Sequence, residues 1–434
     1  MKTLAFHHDH KKLPPATESL IPVHLYGLGT SNRNDLSTIG HQAIEKIKRL
    51  GLKVSAETMD FLSIAYAVTA ADTFVLRGDA DDSWTREITL KLPLHNPAPW
   101  VAVKAKLEKA LRFLSGDLWT LEFAEGGFAP PEPFLKKDRY NLLNLRELDC
   151  VSLFSGGLDS AVGVIDLLGE DKKPLLISHS YKGDKSKQEA ISNHLKGRFA
   201  NLSVNADPHN YTKASDISMR TRSINFLALA AVGAYAVEEI SQQDSIDLFV
   251  PENGFISLNA PLTPRRIGSL STRTTHPHFI QLIQEIFDTV GINVNIVNPY
   301  QFQTKGEMVL NCKDQPLLQT IVDSTVSCSH WKRENQQCGC CVPCLIRRSS
   351  LKKGSMREAE VYKYQNLKDI LVNPNGRDDL LAVSSAIKRL EERPIGPWIS
   401  ESGPLPIGDF EDYKSVFTRG LKEVQDFLVV EVIR

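Results

Sequence analysis

From Cys150 onward the chain settles into a rhythm that few folds can satisfy. Strand-like Cys150–Phe154, Pro174–Ser180, Asn201–Asn205 and Ser245–Val250 alternate with helix-period Asp159–Leu168, Lys185–Phe199 and Arg222–Ile240. Short strands that are apolar throughout are covered on both faces, and parallel neighbours need a helix-length crossover to return the chain. The pattern predicts an α/β fold with a doubly wound parallel sheet. Ligands of such sheets lie outside the carboxyl ends of the strands. The residues after Phe154, after Val250 and after a further strand at Ile292–Val297 are therefore the places to look for chemistry.

Ahead of this block, helix-period segments at His41–Leu50, Ala56–Ala71 and Trp100–Leu114 mix with strand-like Thr73–Arg77, Thr85–Leu92 and Trp119–Glu122, which predicts an α+β domain. A Gly- and Pro-rich stretch, Gly126 to Pro133, marks its end. A chain of 434 residues exceeds what one core comfortably fills. The expected division is an N-terminal α+β domain over 1–148, an α/β domain over 149–310, and a cysteine-rich, helical region over 311–434. No internal repeat at a fixed period is apparent in the sequence.

The formal net charge of -1 argues against a chain whose main task is wrapping nucleic acid. The first residues fail as a signal peptide, and the longest apolar run, Phe226 to Val237, is too short to span a bilayer. A cytoplasmic, membrane-free protein is expected. His7, His8 and His10 read as scattered histidines on a flexible terminus.

After the strand Cys150–Phe154 comes Ser155-Gly156-Gly157-Leu158-Asp159-Ser160, opening directly into a helix. Side-chain-free glycines let the backbone approach an anion, successive N–H groups converge on it, and the helix N-terminus adds roughly half a positive charge. The hydroxyls of Ser155 and Ser160 add donors. Asp159 would be repelled by phosphate unless a divalent cation lay between them, which makes it the candidate Mg²⁺ contact. The spacing is not that of a Walker A loop. Arg222 and Lys305 each open a helix near the strand ends, where each is a candidate to neutralise phosphate and equally a solvated surface charge. Glu252 and Asn253, after another strand, read either as a polar turn or as a pair able to meet the N–H and carbonyl groups of a guanine-like base. The polar, basic stretch Thr263 to His278 suits a substrate-covering loop or a docking surface.

Five of the seven cysteines fall between Cys328 and Cys344. Cys338, Cys341 and Cys344 stand at successive C-x₂-C spacing, and with Cys328 they supply four thiolates for a tetrahedral Zn²⁺, Gly339 allowing the tight turn. An iron–sulfur cluster competes, since thiolates serve both metals. Cys340 is expected to point elsewhere.

Together, Phe154–Ser160, the Arg222–Phe226 helix start, Pro299 to Met308 with Lys305 and Glu307, and Cys328 with Cys338–Arg347 resemble the PP-loop ATP pyrophosphatases, in particular the 7-cyano-7-deazaguanine synthase (QueC-like) branch. The resemblance covers about residues 149 to 348. It implies ATP, Mg²⁺ and Zn²⁺ as cofactors, and adenylation of 7-carboxy-7-deazaguanine on the way to an amide and a nitrile. Residues 1–148 and the helical tail exceed what such synthases carry. Long chains of this form resemble QueC-like members of the Qat anti-phage defence system, where the activated carboxylate is thought to pass to the amino terminus of a partner protein encoded in the same operon. Small-molecule nitrile synthesis with ammonia, and a tRNA-thiolating PP-loop enzyme with an iron–sulfur cluster, stand as alternatives.

Overall fold

A computed structural model describes residues 1–28, 36–135, 141–179, 184–216, 220–262, 273–372 and 377–433. It contains two five-stranded sheets, and every strand pair in both is parallel. The first comprises β1 (Lys2–His7), β2 (Leu20–Leu25), β3 (Ser37–Ile39), β4 (Glu87–Pro93) and β5 (Leu118–Ala124), in the order β3-β2-β1-β4-β5. The second comprises β6 (Cys150–Leu153), β7 (Pro174–Ser178), β8 (Ala200–Ser203), β9 (Ile246–Phe249) and β10 (Val294–Val297), in the order β10-β9-β6-β7-β8. Read from the opposite edge, the second order is that of the first. Each sheet has a switch point, between β1 and β4 and between β6 and β9, where the chain turns from winding one way to winding the other.

The helices that matter to these sheets are α1 (Ala43–Lys48), α2 (Ala56–Phe74), α3 (Pro97–Ser115), α4 (Leu158–Gly169), α5 (Asp184–Ser192), α6 (Arg222–Ser241), α7 (Gly254–Ser257), α8 (Pro277–Val290) and α9 (Lys305–Asn311). Their ends follow local chemistry. Ser55 caps α2 by accepting from Thr58 N, and Thr304 with Glu307 forms a reciprocal capping box on α9. α8 has Pro277 in its first turn and stops at Gly291 in the left-handed conformation. α2 and α6 are apolar nearly all round because each is covered on two sides: they pack on each other between the sheets. α6 is long and apolar enough by composition to cross a membrane, yet 72% of that stretch is buried inside the fold.

The expected α/β sheet after Cys150 stands. The N-terminal part is not α+β: it is a second parallel α/β sheet. β2 carries Pro22, which lacks the N–H a central strand uses, β3 is three residues long, and β1 has little alternation, so none of the three announces itself. Thr73–Arg77, expected as a strand, instead ends α2 and enters a 3₁₀ turn. His7 closes β1 and His8 follows at once, stacked at 4.6 Å, so this stretch is not a loose terminus. One hydrophobic core runs through both sheets, from Leu4 and Leu90 to Ile177 and Val294. A separate core gathers the cysteine cluster with the C-terminal helices, including Trp398 and Phe417.

Candidate functional site

β6 ends at Leu153, Phe154 closes one more pairing onto Ile177, and the chain then turns at Ser155-Gly156-Gly157 into α4. Gly156 has φ +83°, a region costly for residues with a Cβ, and a Cβ there would lie 3.2 Å from Gln188 Cγ. Gln188 Nε2 donates to Ser155 O at 3.2 Å and so braces the loop from α5. Val326 N donates to Gly156 O at 3.2 Å, tying the loop's other side to the strand of chain that leads into the cysteines. Ser155 and Ser160 hydroxyls lie 3.2 Å apart, and Ser160 also donates to Gly157 O. Gln188 and Val326 thus brace the loop from two sides.

Asp159, on the first turn of α4, is 6% exposed. Its Oδ2 accepts from Asn253 Nδ2 at 2.7 Å, and Lys305 Nζ lies 3.0 Å from its Oδ1. Oδ1 has the ion pair but no aligned hydrogen bond. Burial opposes the charge on Asp159, while Lys305, Glu252 and Asn253 outweigh it and hold the carboxyl below its usual range. Glu252 goes the other way: burial first, and the nearby Asp159 carboxylate second, push it well above the usual range, against the pull of Lys305 and Arg222. The neighbouring negative charge thus works against ionisation of Glu252.

Four segments, after β6, at the start of α6, after β9 and at the start of α9, bring Asp159, Arg222, Glu252, Asn253 and Lys305 to one end of the second sheet. Asn253 is fully buried and spent: its Nδ2 donates to Asp159, and its Oδ1 caps α7 through Ile256 N at 3.0 Å. It holds Asp159 in place. Arg222 is exposed, close enough for its charge to act on Glu252. Sequence reasoning missed Glu423, which reaches from the helix Phe410–Leu428 to accept from Thr304 Oγ1 at 2.6 Å and Gly306 N at 3.0 Å, fixing the turn that carries Lys305. No local pattern marks a carboxylate that acts 117 residues away.

The upward shift of Glu252 has a measurable consequence. A carboxyl raised in the native state stabilises the fold below its unfolded pKa and loses that contribution as pH climbs towards the raised value. Glu252→Gln keeps the shape of the protonated form and cannot ionise. Its melting temperature should rise relative to the native protein as pH goes from 5.5 to 8.5; parallel melting curves for the two proteins across that range would contradict the upward shift.

The second cluster lies behind the Val326 strap. Sγ of Cys328, Cys338 and Cys341 and a ring nitrogen of His330 all fall within 4.8 Å of one another. Cys344 Sγ is 3.9 Å from Cys338 Sγ, and Cys341 Sγ is 4.0 Å from Cys328 Sγ. A tetrahedral zinc with bonds of about 2.3 Å sets its sulfurs about 3.8 Å apart, which these pairs meet. Backbone N–H groups of Cys338 and Cys341 point at the sulfurs of Cys328 and Cys338. The donor set fits a metal ion such as zinc. His330 is a ligand candidate that the cysteine spacing alone did not reveal, although Cys328-Ser329-His330 places it two residues on. Cys340 does not point wholly away, its sulfur lying 3.8 Å from that of Cys338. Gly339, at φ +83°, lies against Tyr364 O and Tyr362, so the knuckle turn is also the seat of the C-terminal chain.

The remaining expected loop, Thr263 to His278, falls outside the described residues over 263–272; its end is ordered, with Arg273 over the Phe113 ring and His276 buried as the cap of α8. No curated protein matches this chain. Residues 274–355 match the family described as Queuosine biosynthesis protein QueC. That stretch supplies Lys305 and every candidate ligand of the cysteine cluster, while the Ser155–Ser160 loop, with Asp159, and Arg222, Glu252 and Asn253 lie ahead of it. A match on the segment that builds one of the four parts of the crevice and all of the cysteine cluster supports a QueC-like protein.

Proposed function

We propose that this chain is an ATP-dependent ligase of the PP-loop kind that adenylates a 7-carboxy-7-deazaguanine-type carboxylate for amide formation. The observation that carries the reading is the convergence of Asp159, Lys305, Glu252 and Arg222 beside the Ser155-Gly156-Gly157 turn, at the switch point of a parallel sheet. Such a turn accepts the β- and γ-phosphates through backbone N–H groups of 156–158 and the hydroxyls of Ser155 and Ser160. Asp159 Oδ1, buried and short of a hydrogen bond, is the atom that would hold Mg²⁺. Lys305 and Arg222 face the charge that develops as pyrophosphate leaves. Glu252, kept uncharged, offers its carbonyl to the N–H edge of the base.

The chemistry balances in two steps. A carboxylate oxygen of the substrate attacks the α-phosphorus of ATP; the bond to the bridging oxygen breaks, and pyrophosphate leaves with the electron pair. An amine then attacks the acyl carbon, AMP departs, and the amine gives up a proton. Bound zinc supplies a structural tie between the loop strap and the C-terminal helices. We favour the amino group of a partner protein, in anti-phage defence, over ammonia, because the first sheet and the C-terminal helices add surface that a small-molecule synthase does not need. Sulfurs 3.9 to 4.0 Å apart fit one tetrahedral ion and not the wider spacing of a cluster's ligands, which weighs against the tRNA-thiolating reading.

Mass spectrometry tests the nucleophile. With ATP, Mg²⁺ and 7-carboxy-7-deazaguanine, a candidate partner should gain the mass of an amide-linked deazaguanine; amide or nitrile from ammonia, with the partner untouched, would replace conjugation by pathway synthesis.

A further inference from the structure

The two sheets are more than neighbours. They share one strand order, so β1 corresponds to β6, β4 to β9, and the crossover helices α2 and α3 correspond to α6 and α8. These counterparts are what touch: α2 packs on α6, and α3 on α8. Thr38, in the middle of β3, forms an antiparallel bridge with His209, beyond the end of β8: Thr38 N to His209 O and His209 N to Thr38 O, both 2.8 Å. Pairing of like with like, with reversed direction, is the signature of a two-fold arrangement.

The counterpart crevice in the first sheet is filled. Where Ser155-Gly156-Gly157 follows β6, His7-His8 stands on β1, and Phe128 of the following segment lies against His8 at 5.4 Å and Tyr26 at 5.0 Å. Gly127 N bonds Leu94 O, closing the chain over the end of β4. The first sheet therefore has the packing faces of such a unit without its open loop.

What the first sheet does retain is a grip on α6. Asp72, near the end of α2 and 2% exposed, accepts both Thr221 N and Thr221 Oγ1 at 2.8 Å. Its other oxygen takes Arg86 Nη2, and Arg86 is locked in turn to Asp117, which also holds Arg77. Arg220 adds a bond to Ser115 O at 2.9 Å. Thr221 is the residue before Arg222, so the turn that presents Arg222 to Glu252 is fixed from the first sheet.

We propose that residues 1–135 serve as an in-chain counterpart of the second sheet, and that Asp72 is a positioning residue which sets the first turn of α6, and with it Arg222, for the reaction at the crevice. The functional half of this rests on the adenylation reading; the structural half does not.

The test compares the full-length native protein with Asp72→Asn, Thr221→Val and Thr221→Ser. Hydrogen exchange of residues 221–226 reads the turn itself. Loss of a buried hydrogen bond to a charged group should speed exchange there by about tenfold in Asp72→Asn, less in Thr221→Val, and hardly at all in Thr221→Ser, which keeps the hydroxyl. In steady-state ATP turnover, kcat should fall in the same order while KM for ATP holds. Unchanged exchange in both Asp72→Asn and Thr221→Val, or equal damage from Val and Ser, overturns the proposal. If Asp72→Asn does not fold, the Thr221 pair decides. Altered exchange in a protein that shows no carboxylate-dependent turnover in its native form would uphold the positioning and reject the adenylation.

Discussion

Asp159→Asn is expected to reduce carboxylate-dependent AMP formation by at least about a hundredfold, the scale of about 2.7–4 kcal/mol lost when a preorganised charge-stabilising group is removed. The same change leaves Lys305, 5% exposed, without its partner at 3.0 Å. Removing one member of a buried ion pair costs about 3–5 kcal/mol, so the variant should also melt earlier. The two effects separate in the double variant Asp159→Asn with Lys305→Met. Taking away both charges restores much of the stability, because the buried cation is gone, and restores none of the turnover, because nothing remains to hold Mg²⁺ or meet the phosphates. If Asp159→Asn keeps native turnover, the crevice is not where ATP reacts. If the double variant recovers activity along with stability, the pair is structural only.

The second large effect concerns the cysteines. Cys338 is the hub: its sulfur lies 3.9 Å from Cys344 and 3.8 Å from Cys340, and it accepts from Cys341 N. Cys338→Ser should strip the chain of zinc, measured by elemental analysis as loss of about one ion per chain. Structural zinc binds zinc-finger peptides with about 10–16 kcal/mol at neutral pH, more than the whole stability of most domains. The expected result is therefore melting of the C-terminal core around Trp398 and Phe417, followed by loss of turnover because Val326 no longer straps Gly156. The sulfur spacings assign the fourth position to Cys344. Cys344→Ser should lose zinc as Cys338→Ser does, while His330→Ala keeps it; the reverse outcome would hand the position to His330.

Much of the site was legible before any coordinates. Glycines after a buried strand, a carboxylate on the first turn of the next helix, and cysteines at C-x₂-C spacing each follow from local rules; Asp159, Lys305, Glu252 and Asn253 come together, while Arg222 stays exposed and acts on Glu252 through its charge. What local reading misjudged was long-range. Asn253 looks like a recognition residue until its two side-chain atoms are seen to be committed to Asp159 and α7. Glu423 and Asp72 are unremarkable carboxylates on helices, and only the packing of distant helices shows that they set the turns carrying Lys305 and Arg222. The first sheet escaped for a different reason. Pro22 and the shortness of β3 mask the strands, so a parallel sheet reads as a mixture of helices and isolated strands. Its kinship with the second sheet lives in strand order and helix pairing, which a sequence period does not record.

Isotope transfer reaches the central claim most directly. The chain is incubated with ATP, Mg²⁺, an amine acceptor and 7-carboxy-7-deazaguanine carrying ¹⁸O in its carboxylate, and the released nucleotide is weighed. Adenylation predicts AMP that has gained one ¹⁸O from the carboxylate, with pyrophosphate as the other product. ADP and phosphate, or AMP without the label, would contradict activation of this carboxylate by adenylation at the crevice.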